Sequence, residues 1–130
     1  MSRRFGSVDV YVANAGVNFV DPFDAVTPEQ FDELFAVNVK GVYFGVQKTL
    51  PLLTEGASIV LVSSIATTKV FENHSLYAGA KASLRSFARS WTAELRARKI
   101  RVNVLSPGPT RTPILTKMGL SEEAVAGLLG

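Results

Sequence analysis

The chain has 130 residues, enough for one domain, with 47% hydrophobic and 19% charged residues and a formal net charge of +3. It contains no cysteine, which excludes disulfides and thiolate metal sites. No apolar run reaches the ~18 residues of a membrane span, and Ser2-Arg3-Arg4 leads into Phe5-Gly6 without the apolar core of a secretory signal. No membrane association, no metal site and a cytoplasmic location are therefore the expectations. Arg85, Arg89 and Arg96 recur at helical spacing beside Glu94 and read as a solvated helix face, so the basic excess implies no nucleic-acid partner.

The first strand is Val8–Ala13, and it ends in the small residues Asn14-Ala15-Gly16, where another molecule can approach the backbone closely. Thr27 is an N-cap, Pro28 sits at N1, and Gln30 completes a capping box. The helix they start is expected to run to near Thr49, before Pro51. Asn38 falls inside it among Val37, Val39 and Val42, where its amide competes for backbone hydrogen bonds; it reads either as a tolerated polar residue or as one that holds water or bends the helix. The second strand, Ile59–Val62, ends at Ser63-Ser64. Phe71-Glu72-Asn73-His74 lies between Ser64 and Tyr77, which makes it a candidate pocket wall; His74 has no partner at metal-ligand spacing and reads as a loop residue. A helix over 75–98 leads to the third strand, Ile100–Leu105, and then to the Pro/Gly loop Pro107-Gly108-Pro109-Thr110-Arg111-Thr112-Pro113. Ser121 caps a short terminal helix with Glu122 and Glu123 in its first turn.

Apolar strands joined by two helical crossovers predict an α/β fold, a βαβαβ unit with a parallel sheet of about three strands. Right-handed crossovers advancing in one direction place both helices on one sheet face. Val8–Ala13 and Ile59–Val62 are nonetheless apolar at nearly every position, as in strands buried on both faces. The opposite face and the edge of the first strand are therefore expected to be bare and to favour association.

Tyr77 and Lys81 stand four residues apart and so project from one helix face. A free phenol ionises near pH 10, too high for ready proton exchange at neutral pH, and a neighbouring cation favours the phenolate. Ser64, at a strand end, adds a hydroxyl. The three suit proton transfer to or from a carbonyl or alcohol oxygen. Asn14-Ala15-Gly16, Ser64 and Pro107-Gly108 all follow strand ends, and that edge of an open parallel sheet is where ligands bind.

With NAG at 14–16, Asn38, Ser64, Tyr77 with Lys81, and PGPTRT at 107–112, the sequence resembles a short-chain dehydrogenase/reductase from about Gly6 onward. The resemblance implies a partial Rossmann-like domain over 1–130 and an NAD(P)-dependent oxidoreductase that interconverts an alcohol and a carbonyl. It implies Tyr77 as general acid/base and Lys81 lowering the phenol pKa and binding the nicotinamide ribose. Ser64 would polarise the substrate oxygen, and Asn38 would hold a relay water. Asn14, Ala15 and Gly16 would form the cofactor floor, and Pro107, Gly108, Thr110 and Thr112 would wrap the nicotinamide. The family's glycine-rich pyrophosphate turn does not occur in this sequence. The expectation is thus a catalytic half that binds no NAD or NADP usefully by itself. The alternative is a catalytically silent fragment acting as an oligomerising or partner-binding module. The expected partners are a small alcohol or carbonyl and a second copy of the chain.

Overall fold

The protein is described by a computed structural model covering residues 2–129. A short helix α1 (Ser2–Phe5) precedes β1 (Val8–Ala13). Then come α2 (Pro28–Phe35), a π-helical turn (Ala36–Lys40), α3 (Gly41–Thr49), β2 (Leu53–Val62), α4 (Ser75–Glu94), β3 (Arg101–Leu105), α5 (Pro113–Lys117) and α6 (Glu122–Leu129). The sheet is parallel, in the order β1-β2-β3. This is the Rossmann-like α/β fold the sequence indicated.

Three boundaries differ from expectation. β2 begins at Leu53, six residues before Ile59, because Leu53 pairs with Val8 across a register shift at Val8/Val10. Gly56 takes φ +76°, a conformation glycine adopts without steric cost. The expected single helix over 28–49 is interrupted at Ala36–Lys40 by the π turn that carries Asn38. α4 ends at Glu94, short of the expected 98, and gives way to a 3₁₀ turn at Arg96–Arg98, which Lys99 terminates in the left-handed region at φ 54°.

The pleat explains the core. Ile59 and Leu61 point to one face of β2 and are fully buried there, against Val42 and Val46 of α3 and Leu84, Ala88 and Trp91 of α4. Both crossovers therefore cover the same face. On the other face Val10, Val12 and Leu105 remain 58%, 53% and 56% exposed.

The capping box at α2 is complete. Thr27 Oγ1 accepts from Gln30 N at 3.2 Å, and Gln30 Oε1 accepts from Thr27 N at 2.9 Å. Thr27→Ala is expected to lower stability by about 1 kcal/mol, read as a shifted urea midpoint with an unchanged slope. An unmoved midpoint would show that the cap contributes nothing.

Candidate active site

The carboxyl ends of the strands meet at one edge. Main-chain bonds tie their loops together: Ser63 N donates to Leu105 O at 2.7 Å, and Ile65 N donates to Pro107 O at 3.1 Å. The cleft this forms has a volume of about 720 Å³, and its walls include Asn14, Ala15, Gly16, Ser64, Tyr77, Lys81, Pro107, Gly108, Thr110 and Thr112. Of the candidate catalytic and cofactor-binding residues, Asn38 alone does not line it, and the candidate wall Phe71–His74 lies outside it. A second cavity, of about 340 Å³, shares Ser64, Tyr77, Gly108, Thr110 and Thr112 and extends between Phe71, His74, Leu115 and Met118.

Asn38 acts from behind the wall. It is fully buried at the π turn, where its Oδ1 accepts from Val17 N at 2.8 Å and its Nδ2 donates to Val17 O at 2.7 Å. This pair clamps the loop after β1. Gly16 is packed so closely that a Cβ there would lie 3.2 Å from Lys81 Nζ and 3.4 Å from Asn38 Oδ1. A side chain at position 16 would crowd the buried ammonium.

Lys81 is only 3% exposed, and its Nζ donates to Val62 O at 2.9 Å. Burial pushes its pKa below the ordinary lysine value. The ammonium lies 5.9 Å from the centroid of the Tyr77 ring. Burial raises the Tyr77 phenol above its ordinary value, and the Ser64 hydroxyl acts in the opposite direction. The lowering influence on Tyr77 comes from the Ser64 hydroxyl, while the Lys81 ammonium donates to the end of β2. A raised pKa means that the neutral phenol persists past pH 10. Ultraviolet difference titration of the chain against Tyr77→Phe is expected to show a phenol ionising above pH 10. Ionisation below pH 10 would contradict this reading of the site.

The sequence points to Ser64 as the cleft hydroxyl and assigns Ser63 no role. The Ser63 hydroxyl, in a residue 3% exposed, donates to Lys81 O at 2.9 Å and fixes α4 against the end of β2. The available signal was strand alternation: Ser63 follows Ile59 and Leu61 onto the helix-covered face, which leaves Ser64 facing the cleft. Among the described residues, no group of three or more His, Cys, Asp or Glu side chains comes together, and no helix is long and apolar enough to cross a membrane.

The parallel sheet with Ser64, Tyr77 and Lys81 lining one cleft at its carboxyl edge is the arrangement on which the family resemblance rests, and comparison with known proteins bears on the family. Residues 1–128 match the family model described as enoyl-(acyl carrier protein) reductase. The oxidoreductase asL5 of Sarocladium schorii is 41% identical over 122 residues, which are 92% of this chain and 49% of that protein. The hydroxynaphthalene reductase-like protein Arp2 of Metarhizium brunneum is 39% identical over 85% of this chain and 42% of its own length. The crystal structure of the angucycline C-6 ketoreductase LanV with bound NADP superimposes with a TM-score of 0.87 at 32% identity, covering 98% of this chain and 49% of LanV. The chain belongs to the short-chain dehydrogenase/reductase family, and it spans about half the length of the relatives it matches.

Proposed function

We propose that this chain carries the catalytic half of a nicotinamide-dependent reductase that interconverts a ketone and an alcohol. The observation that supports this most is the convergence of Ser64, Tyr77 and Lys81 on one cleft whose other walls include Gly16 and the loop residues Pro107, Gly108, Thr110 and Thr112. The cleft fits the nicotinamide–ribose end of NAD or NADP. Gly16 admits close backbone approach, Lys81 supplies an ammonium beside it, and Thr110 and Thr112 offer hydroxyls on the opposing wall. No glycine-rich turn opening a helix is found among residues 2–129, so the pyrophosphate has no anchor in these residues. The bound cofactor would supply or remove the hydride at the carbonyl carbon.

The chain's own residues handle the proton. In reduction, the Tyr77 hydroxyl gives its proton to the carbonyl oxygen as the C=O π bond opens, and Ser64 donates a hydrogen bond to that oxygen. Oxidation runs the same steps in reverse, with Tyr77 as the base. Lys81 must leave Val62 O, or share it, to hold a ribose and stabilise the phenolate. Both polar atoms of the Asn38 amide are engaged with Val17. Each atom keeps one further hydrogen-bonding capacity, so a relay water at Asn38 would be an added partner of an amide already committed to this clamp.

A second reading, a silent association module, is favoured by one observation: the bare sheet face with Val10, Val12 and Leu105. A chimera in which this chain replaces the matching half of LanV separates the two. NADPH-dependent ketone reduction is expected, and Lys81→Met in that chimera should weaken cofactor affinity and move the alkaline limb of activity to higher pH. A folded chimera that binds NADPH without turnover would reject the reductase reading.

A further inference from the structure

Asn18 lines both cavities at the carboxyl edge, and the proton transfer makes no use of it. It shares both with Ser64 and Tyr77, so it borders the place where a ketone must put its carbonyl. The loop that carries it is fixed one residue earlier, where Asn38 holds the main chain of Val17. The Asn18 amide itself is poorly served. Its Nδ2 donates to the thioether sulfur of Met118 at 3.5 Å, and sulfur is a weak acceptor. Its Oδ1 is closed off from solvent and has no hydrogen-bond partner; among the described residues that are not exposed, it is the single buried side-chain nitrogen or oxygen left so. The other polar groups on the wall of the smaller cavity are served by partners or water. Thr110 Oγ1 donates to Gly108 O, His74 Nδ1 bonds Glu72 O, and Thr112 is exposed. An unpaired buried oxygen destabilises the fold, and a ligand that brings the missing partner offsets that loss. Met118 is the adaptable side of the contact, because it lies past the end of α5 and its unbranched side chain repacks easily. Its withdrawal frees the amide, acceptor and donor side by side, to turn to the cavity.

We infer that Asn18 is a specificity-determining residue that pairs with a carboxamide or lactam group carried by the ketone substrate. Oδ1 accepts from the ligand N–H, and Nδ2 donates to the ligand C=O. The inference rests on the ketone-reductase reading above, and it assigns the substrate class as keto-amides. Its ground is complementarity. The orphaned oxygen needs a donor, the nitrogen beside it needs a better acceptor than sulfur, and a cis amide presents both on one edge. A plain ketone offers Asn18 neither. The smaller cavity, at about 340 Å³ and with Ile65 and Leu115 in its wall, has room and apolar surface for a fused bicyclic ring.

Binding to the whole chain at pH 6.5 tests this, by calorimetry and by the side-chain amide ¹⁵N signals, with the Asn18 pair identified by its absence in Asn18→Leu. The probes are isatin, a bicyclic ketone with a lactam N–H and C=O; N-methylisatin, which lacks the N–H; and 1-indanone, which lacks the lactam. Isatin should shift the Asn18 signals and bind roughly five- to tenfold more tightly than either of the others. Asn18→Leu keeps the heavy-atom shape and deletes the unpaired oxygen. It should abolish the preference, leave 1-indanone affinity near the parent value, and unfold at a urea midpoint no lower than the parent's. An amide with a purely structural role would lose stability on that change. Met118→Leu keeps the wall apolar and should leave the preference in place. Equal binding of the three ketones, no binding of isatin, a preference that survives Asn18→Leu or vanishes in Met118→Leu, or a lowered midpoint in Asn18→Leu would each overturn the assignment. Failure of the reductase reading is seen elsewhere, as lost turnover in the LanV chimera, and ketone binding without a lactam preference leaves that reading standing.

Discussion

Replacing Tyr77 by Phe is expected to lower kcat by about 10²- to 10⁴-fold in a form of the protein that turns over, the range typical of a general acid/base. The substitution removes a hydroxyl and keeps the ring, so the packing of half-buried Tyr77 at the start of α4 should persist. Cofactor affinity should change little, and the unfolding midpoint should stay within a few tenths of a kcal/mol of the parent. Paired measurement of kcat and KM makes the test specific. A loss confined to kcat identifies a group acting in the transition state, whereas a rise in KM alone would identify a binding contact. Near-normal turnover would remove Tyr77 from the chemistry and leave Ser64 and Lys81 without a proton donor to serve.

The second large effect is expected at Asn38. Asn38→Ala removes both bonds to Val17 and leaves a part-buried main-chain donor and acceptor without the amide that pairs them. Each unpaired buried group costs about 1–3 kcal/mol, and Val17 is half-buried, so a total near 2–3 kcal/mol is expected. Urea unfolding measures that loss. The effect should extend to the site, because the clamp holds Gly16 against Lys81. Amide hydrogen exchange at Val17 is the local readout, and faster exchange there than at Ile59 would show the loop released while the sheet remains. Unchanged stability and unchanged Val17 exchange would mean that the π turn is held by its helix neighbours alone.

Both expectations turn on residues legible from sequence, but legible in different degrees. Tyr77 and Lys81 were readable because helix geometry places residues four apart on one face whatever surrounds them. Thr27-Pro28-Gln30 was readable for the same reason: a capping box closes within three residues. The bare face of Val10 and Val12 could be inferred because crossover handedness is a chain-level constraint. Asn38 was visible as an anomaly among valines, but its partner lies 21 residues away, and local pattern cannot supply such a pairing.

The sequence by itself determined the order of the three strands and their two helical crossovers, the parallel sheet, the capping of α2 and the set of side chains at the carboxyl edge. Each follows from local periodicity, turn chemistry or chirality. The tertiary structure alone decided how those side chains stand toward one another. Lys81 Nζ bonds Val62 O while standing 5.9 Å from the Tyr77 ring centroid, and the packing of α4 on the end of β2, fixed in part by Ser63, sets that placement. The direction of the Tyr77 shift was likewise a matter of burial, which depends on what the fold assembles over the phenol. Asn18 meets Met118, 100 residues further along the chain, because the loop after β1 and the turn after α5 close on one cavity. Hydrogen bonding and desolvation act over a few ångströms in space, and distance along the chain does not encode them.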